Sequence, residues 1–147
     1  MARTREAGFS LIELMLVGAL VAVMAGVSVP AIAGAMQRYT VISASQQVIS
    51  TIRGARVQAV GRNRILKVHV DLAARTFQVL DADDNPAGDL FTLPAGVKFD
   101  AASADVEFDT AGRVDPAVAP VTIVVSNDAE DDQRTITVTT SGRVQLP

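Results

Sequence analysis

Apolar positions follow three successive patterns along the chain. Residues 9–36 hold a single ionisable side chain, Glu13, so this stretch has no polar face. Beyond it Val41, Ala44, Val48, Ile52, Ala55 and Ala59 recur every three or four residues, the period of an amphipathic helix. Gln37, Arg38, Gln46, Gln47, Ser50 and Arg53 fill the remaining positions, which gives that helix a wet face. The two portions predict one long helix ending near Gly61. After Gly61 the period falls to two: Leu66, Val68, Val70 and Leu72 alternate with Lys67, His69 and Asp71, a strand over 64–72. Residues 76–80, 121–126, 134–140 and 143–146 read as strands in the same way, with weaker candidates at 97–99 and 106–108. Their separators are short and rich in Asp, Asn, Gly and Pro, which favours hairpins over helical crossovers. The predicted class is α+β, a long N-terminal helix packed on an antiparallel β-sheet domain.

Read as a membrane segment, residues 9–29 make a helix about 31 Å long, against a hydrocarbon thickness of roughly 30 Å. Arg3, Arg5 and the amino terminus outweigh Glu6, so the leader stays cytoplasmic and the rest of the chain lies outside. An ordinary secretory signal has an apolar region of only about 7–15 residues. The present run is longer, although Ala31-Ile32-Ala33 would suit a signal peptidase. A buried soluble helix would need protein on every side, more than the following residues readily supply. Gly18, Gly26 and Pro30 interrupt the run, and Pro30 is expected to kink the helix because it removes a backbone hydrogen bond and crowds the preceding turn. Gly18, Ala19, Ala22, Ala25 and Gly26 offer a small-residue surface for close helix packing.

The boundary between leader and apolar run reads Gly8-Phe9-Ser10-Leu11-Ile12-Glu13-Leu14. It resembles the cleavage and methylation motif of type IV pilins and type II secretion pseudopilins. The resemblance implies that a prepilin peptidase cuts after Gly8 and methylates the new amine of Phe9, leaving the apolar run in the mature protein. It divides the chain into a leader (1–8), a transmembrane and assembly half-helix (9–36) and a periplasmic pilin-like domain (37–147). A carboxylate in a bilayer core costs roughly 2.5–3.5 kcal/mol, so Glu13 needs compensation. It lies about 6 Å from the new terminus and can reach headgroups or water. By the resemblance it pairs instead with the Phe9 amine of a neighbouring subunit during filament assembly. The same resemblance places a proline at Pro30, where pilin helices loosen.

Two later segments echo each other as Thr-x-Gly-Arg-Val, at Thr110 to Val114 and Thr140 to Val144, with glycine supplying a positive φ where the chain reverses. Together with Ala55-Arg56-Val57-Gln58-Ala59 and Arg62-Asn63-Arg64 they resemble the GspH/FimT branch of minor pseudopilins and minor pilins. The chain has no cysteine, which removes disulfides, thiolate metal sites and cysteine nucleophiles. It therefore cannot close the C-terminal disulfide loop of many major pilins. It ends in Gly142-Arg143-Val144-Gln145-Leu146-Pro147 rather than the calcium loop of major pseudopilins, so a minor subunit fits better.

Net charge is only −3, yet the charges are segregated. Residues 38–75 carry seven basic side chains against Asp71, and residues 81–132 carry thirteen acidic ones against Lys98 and Arg113. Two solvated faces account for this, and so does docking of basic helix surfaces on acidic loops of neighbours. A third reading has Arg62, Arg64 and Arg143 holding nucleic acid, as in FimT-like minor pilins that take up DNA. Gln145 occupies the second arginine position of that family's Gly-Arg-x-Arg element, and no aromatic stacking groups lie nearby. Asp81-Ala82-Asp83-Asp84-Asn85-Pro86 starts like a calcium loop, but Pro86 replaces the required glycine and Thr92 the bidentate glutamate. No metal site or cofactor is expected. His69, the sole histidine, lies on a wet strand face, and no nucleophile elbow, phosphate loop or dinucleotide fingerprint is present, so no catalytic residue is assigned.

The sequence is thus read as a non-enzymatic minor pseudopilin of the type II secretion system in the bacterial inner membrane, at or near the tip of a periplasmic pseudopilus. Its expected partners are other pseudopilins or pilins, prepilin peptidase, membrane lipid and secreted cargo. The alternative is a FimT-like minor pilin of a type IV pilus with a task in DNA uptake. A membrane-anchored binding module that never assembles is the remaining class.

Overall fold

The structure, a computed structural model, describes residues 10–146, with the side chains at 27–31 and 33 outside that description. Gly8 and Phe9 therefore fall outside the described residues, and so does the side chain of Pro30, the expected kink. Helix α1 spans Leu11–Arg62, and the chain divides into two compact units, Met1–Met36 and Gln37–Pro147.

In the first unit the described side chains beyond Glu13 are apolar or absent, and those of Leu11, Ile12 and the residues that follow Glu13 are exposed. Leu11 is 76% exposed, and Leu14, Leu16, Leu20, Val21 and Val23 are exposed likewise. Among the described residues no helix is long and apolar enough to cross a membrane.

The second unit has its own core. Val41, Ala44, Val48, Ile52, Ala55 and Ala59, the row given by the helical period, are all buried. Ile49 and Ser45 widen the buried stripe, and Ser45 Oγ donates to the Val41 carbonyl at 2.7 Å, so its burial leaves no orphan hydroxyl. The helix runs just beyond Gly61 and is closed by Asn63, which takes the left-handed conformation at φ 50°. Arg64 N–H donates to the Ala59 carbonyl at 3.0 Å and Asn63 N–H to the Val60 carbonyl at 3.3 Å, the paired bonds of a Schellman cap.

Eight strands follow: β1 Leu66–Asp71, β2 Thr76–Asp81, β3 Phe91–Thr92, β4 Val97–Phe99, β5 Val106–Phe108, β6 Val121–Asn127, β7 Gln133–Val138 and β8 Val144–Gln145. They form two four-stranded antiparallel sheets, ordered β3-β2-β1-β5 and β4-β6-β7-β8. Phe77 ties the sheets together, stacking on Phe91 at 5.4 Å and meeting the edge of Phe99 at 6.0 Å. In β6, Val124 is buried on the face opposite Val121, Ile123 and Val125. The segment after β4 continues alongside β6: Asp100 N–H donates to the Val124 carbonyl, and Ser103 Oγ bonds both the Val124 carbonyl and its N–H.

Leu72 departs from the alternation expected of it. Strand β1 stops at Asp71, whose Oδ1 accepts the N–H groups of Ala73 and Ala74 at 2.9 and 2.8 Å, and Leu72 is left 41% exposed in the turn. An Asx turn has overridden the period-two pattern. The last two expected strands also shorten, to Gln133–Val138 and Val144–Gln145, because the Gly142 turn takes the residues between them.

One stability prediction arises in the helix. Gly54 has open space where a Cβ would sit, so Gly54→Ala is expected to raise unfolding stability by about 0.5–1 kcal/mol through the helix propensity of alanine. Urea denaturation checks this.

Candidate assembly surfaces

At the start of the helix, Ser10 occupies the cap position and its carbonyl accepts N–H groups from Glu13 at 3.0 Å and Leu14 at 3.2 Å. Ser10-x-x-Glu13 has the spacing of a capping box, and a carboxylate in the first turn complements the helix dipole. Glu13 is exposed. Its local setting thus explains why an acid is tolerated there in the monomer and leaves the carboxylate open to a second partner.

The two echoing turns meet at one helical residue that the sequence reading passed over as a site. Arg56 Nε donates to the Gly112 carbonyl at 2.9 Å, and Arg56 Nη2 donates to the Ser141 carbonyl at 3.0 Å. Gly112 and Gly142 both have φ near +72°. A Cβ on Gly142 would stand 2.1 Å from the Gly112 carbonyl oxygen, and one on Gly112 would stand 2.8 Å from Val60 Cγ2. The two turns are therefore nested backbone to backbone under a single guanidinium fork, which matches two carbonyls as a compact ammonium would not. Each turn is closed alike: Asp109 N–H donates to the Arg113 carbonyl, and Thr139 N–H to the Arg143 carbonyl. The repeated Thr-x-Gly-Arg-Val was the visible signal. That an arginine 56 residues earlier joins the two copies was not.

The three arginines proposed for nucleic acid separate into two settings. Arg64 sits with Asp81, Asp83 and Thr110 around a shallow hollow, just past the exposed Arg62 at the helix end. The Asp81 carboxyl is held below its ordinary range, chiefly by the Asn85 N–H, with Asp83 N–H and the Arg64 charge adding to this. Arg143 instead stands in the nested turns next to the Gly112 and Arg113 segment. The acidic turn has local partners of its own: Asp81 Oδ1 accepts Asp83 and Asn85 N–H groups, and Asp84 is paired with Lys67, whose own pKa is raised by that hydrogen bond.

Charged contacts link distant segments, and those of Lys67, His69 and Arg75 cross from the basic segment to the acidic one. Besides Lys67 with Asp84, Arg75 meets Asp128 at 3.1 Å, Lys98 meets Glu130 at 2.7 Å and His69 Nδ1 meets Asp105 at 2.8 Å. Exposed pairs of this kind contribute only about 0–1 kcal/mol each. Their consequence is positional, since they engage Lys67, Arg75 and Lys98.

An open groove of about 1020 Å³ runs along β5 and the segment that follows it, lined by Asp105, Glu107, Asp109 and Asp115 together with Lys67 and Arg113, among others. Val70 N–H donates to Asp105 Oδ1, so Val70, Val68 and Leu66 direct their backbone groups toward β5 and pair with Val106 and Phe108. Glu107 consequently turns its backbone groups away from β1, toward the groove. The acidic side chains beside this edge discourage indiscriminate strand pairing.

No protein-family model and no curated protein sequence matches the chain. Solved structures do. The minor pseudopilin EpsH from the type 2 secretion system of Vibrio cholerae aligns with a TM-score of 0.58 at 19% identity, covering 76% of this chain and 96% of that one. The type IV minor pilin FimU of Pseudomonas aeruginosa aligns with a TM-score of 0.61 at 18% identity, covering 76% of this chain and 90% of that one. A second EpsH structure gives a TM-score of 0.58 at 18% identity over 76% of this chain and 94% of that one. The fold is that of the minor pseudopilins and minor pilins, an N-terminal helix on antiparallel sheets.

Proposed function

We propose that the chain is a minor pseudopilin of the type II secretion system, a structural subunit at or near the tip of a periplasmic filament. The observation that carries this reading is the contrast between the two units. One closes its own core around residues from Val41 to Val144, while the other presents apolar side chains with no covering. Such an arm is suited to exchange lipid for neighbouring helices, and the Gly8-Phe9 to Glu13 motif supplies the means of processing and registering it. In this reading the inner membrane holds the precursor, prepilin peptidase matures it between Gly8 and Phe9, and the domain faces other pseudopilins and exported cargo. The subunit performs no catalysis.

A minor pilin of a type IV pilus is the second reading, favoured by the comparable likeness to FimU. Deleting the gene and complementing it with the intact copy separates the two. Retention of specific exoproteins in the periplasm, restored on complementation, is expected for the secretion subunit. Normal export with loss of twitching or transformation would transfer the protein to the pilus.

A further inference from the structure

We infer that the turns at 109–113 and 139–143 open and close as one latch, locked by Arg56 and carrying strand β8 with them. The inference concerns the folded domain alone and does not depend on the filament reading.

The two turns are built alike. In the first, Asp109 N–H donates to the Arg113 carbonyl and Gly112 N–H to the Asp109 carbonyl, while Asp109 Oδ1 accepts the Ala111 and Arg113 N–H groups. In the second, Thr139 N–H donates to the Arg143 carbonyl and Gly142 N–H to the Thr139 carbonyl, and Thr139 Oγ1 lies 3.0 Å from Ser141 Oγ. Each turn is braced by its own first side chain, so the bonds within it would let it open alone.

The bonds between the turns remove that freedom. Val114 N–H donates to the Thr140 carbonyl at 3.0 Å, and the Arg56 fork holds Gly112 and Ser141 at 2.9 and 3.0 Å. Gly112 and Gly142 are buried although the residues on either side of each are exposed, because the turns cover one another there. Opening one turn therefore withdraws a carbonyl from the guanidinium, parts Val114 from Thr140 and uncovers the facing glycine. The second turn has then lost its outside bonds and follows, which is the behaviour of one local unfolding unit. Arg56 is the lock because it belongs to α1 and to neither turn, so it ties both to the helix.

Strand β8 begins directly after the second turn and pairs only with Thr137 and Val138. Val144 is only partly buried, so its release forfeits little apolar contact. Asp109, Arg113 and Val114 from one turn and Thr140 from the other line the same groove. The latch thus moves part of the groove wall and the C-terminal strand together.

Native-state amide hydrogen exchange of the full-length chain in detergent, read residue by residue by NMR, tests this. Asp109→Ala removes the brace of the first turn and no bond of the second. It is expected to speed exchange at Gly112 about fivefold or more, and at Gly142 by the same factor, with Ile123 in β6 unchanged. Arg56→Met keeps the stem and removes the donors, and should speed both glycines about tenfold or more, again equally. Acceleration confined to Gly112 in the Asp109 variant overturns the inference, because the turns then open separately. Equal acceleration at Ile123 overturns it as well, since the whole domain is then opening, and so do unchanged rates in the Arg56 variant. Should Asp109→Ala fail to fold, Thr139→Ala is the mirror lesion, with Gly112 expected to speed up as much as Gly142.

Discussion

Gly142→Ala is expected to destabilise the domain by about 3 kcal/mol or more, an effect in the range reserved for core damage. The left-handed conformation at φ +72° alone costs an L-residue about 1–2 kcal/mol. The added Cβ would also lie 2.1 Å from the Gly112 carbonyl oxygen and 2.7 Å from Arg56 Nε, so the nested turns must separate and the guanidinium must release its carbonyls. Gly96→Ala is the control. Gly96 has φ +82° but open space around the new Cβ, so only the conformational cost of about 1–2 kcal/mol applies. Urea titration of the full-length variants in detergent measures both. Equal losses at the two glycines would show that the turn-on-turn contact contributes nothing.

Replacing Glu13 by alanine is expected to abolish filament incorporation while leaving the melting temperature of the domain unchanged. In the assembled filament the partner amine of Phe9 would lie among apolar helices, and removing one member of a buried ion pair costs about 3–5 kcal/mol, more than a hundredfold in association. Glu13→Gln distinguishes this from local capping. Glutamine serves equally at the third position of a capping box but carries no charge. Incorporation of the Gln variant at wild-type level, measured by immunoblotting sheared filaments, would assign Glu13 to the cap alone.

The helical face and most strands were legible because burial on one side imposes a period, and the period survives in the sequence. Val41 to Ala59 and Leu66 to Val70 are buried as their spacing requires. Leu72 was misread because its fate was set by the Asp71 side chain next to it, a local bond that hydropathy does not register. Strand β3 is two residues long and carries no period at all; Phe91 is placed by its stack on Phe77. The charge segregation was visible in the residue order, but the cross-boundary pairs are long-range contacts: Arg75 with Asp128 joins residues 53 apart.

The sequence by itself determined the sequence-local features: an apolar arm with one acid, an amphipathic helix, hairpin-forming strands and two glycine turns of the same composition. These are features of neighbouring residues, and backbone sterics and side-chain period suffice to specify them. Only the tertiary structure decided that the strands split into two sheets, that Arg56 clamps both turns, and that Arg75 reaches Asp128. Those outcomes depend on which distant backbone carbonyls and side chains chain reversal brings within about 3 Å of one another, the reach of a hydrogen bond.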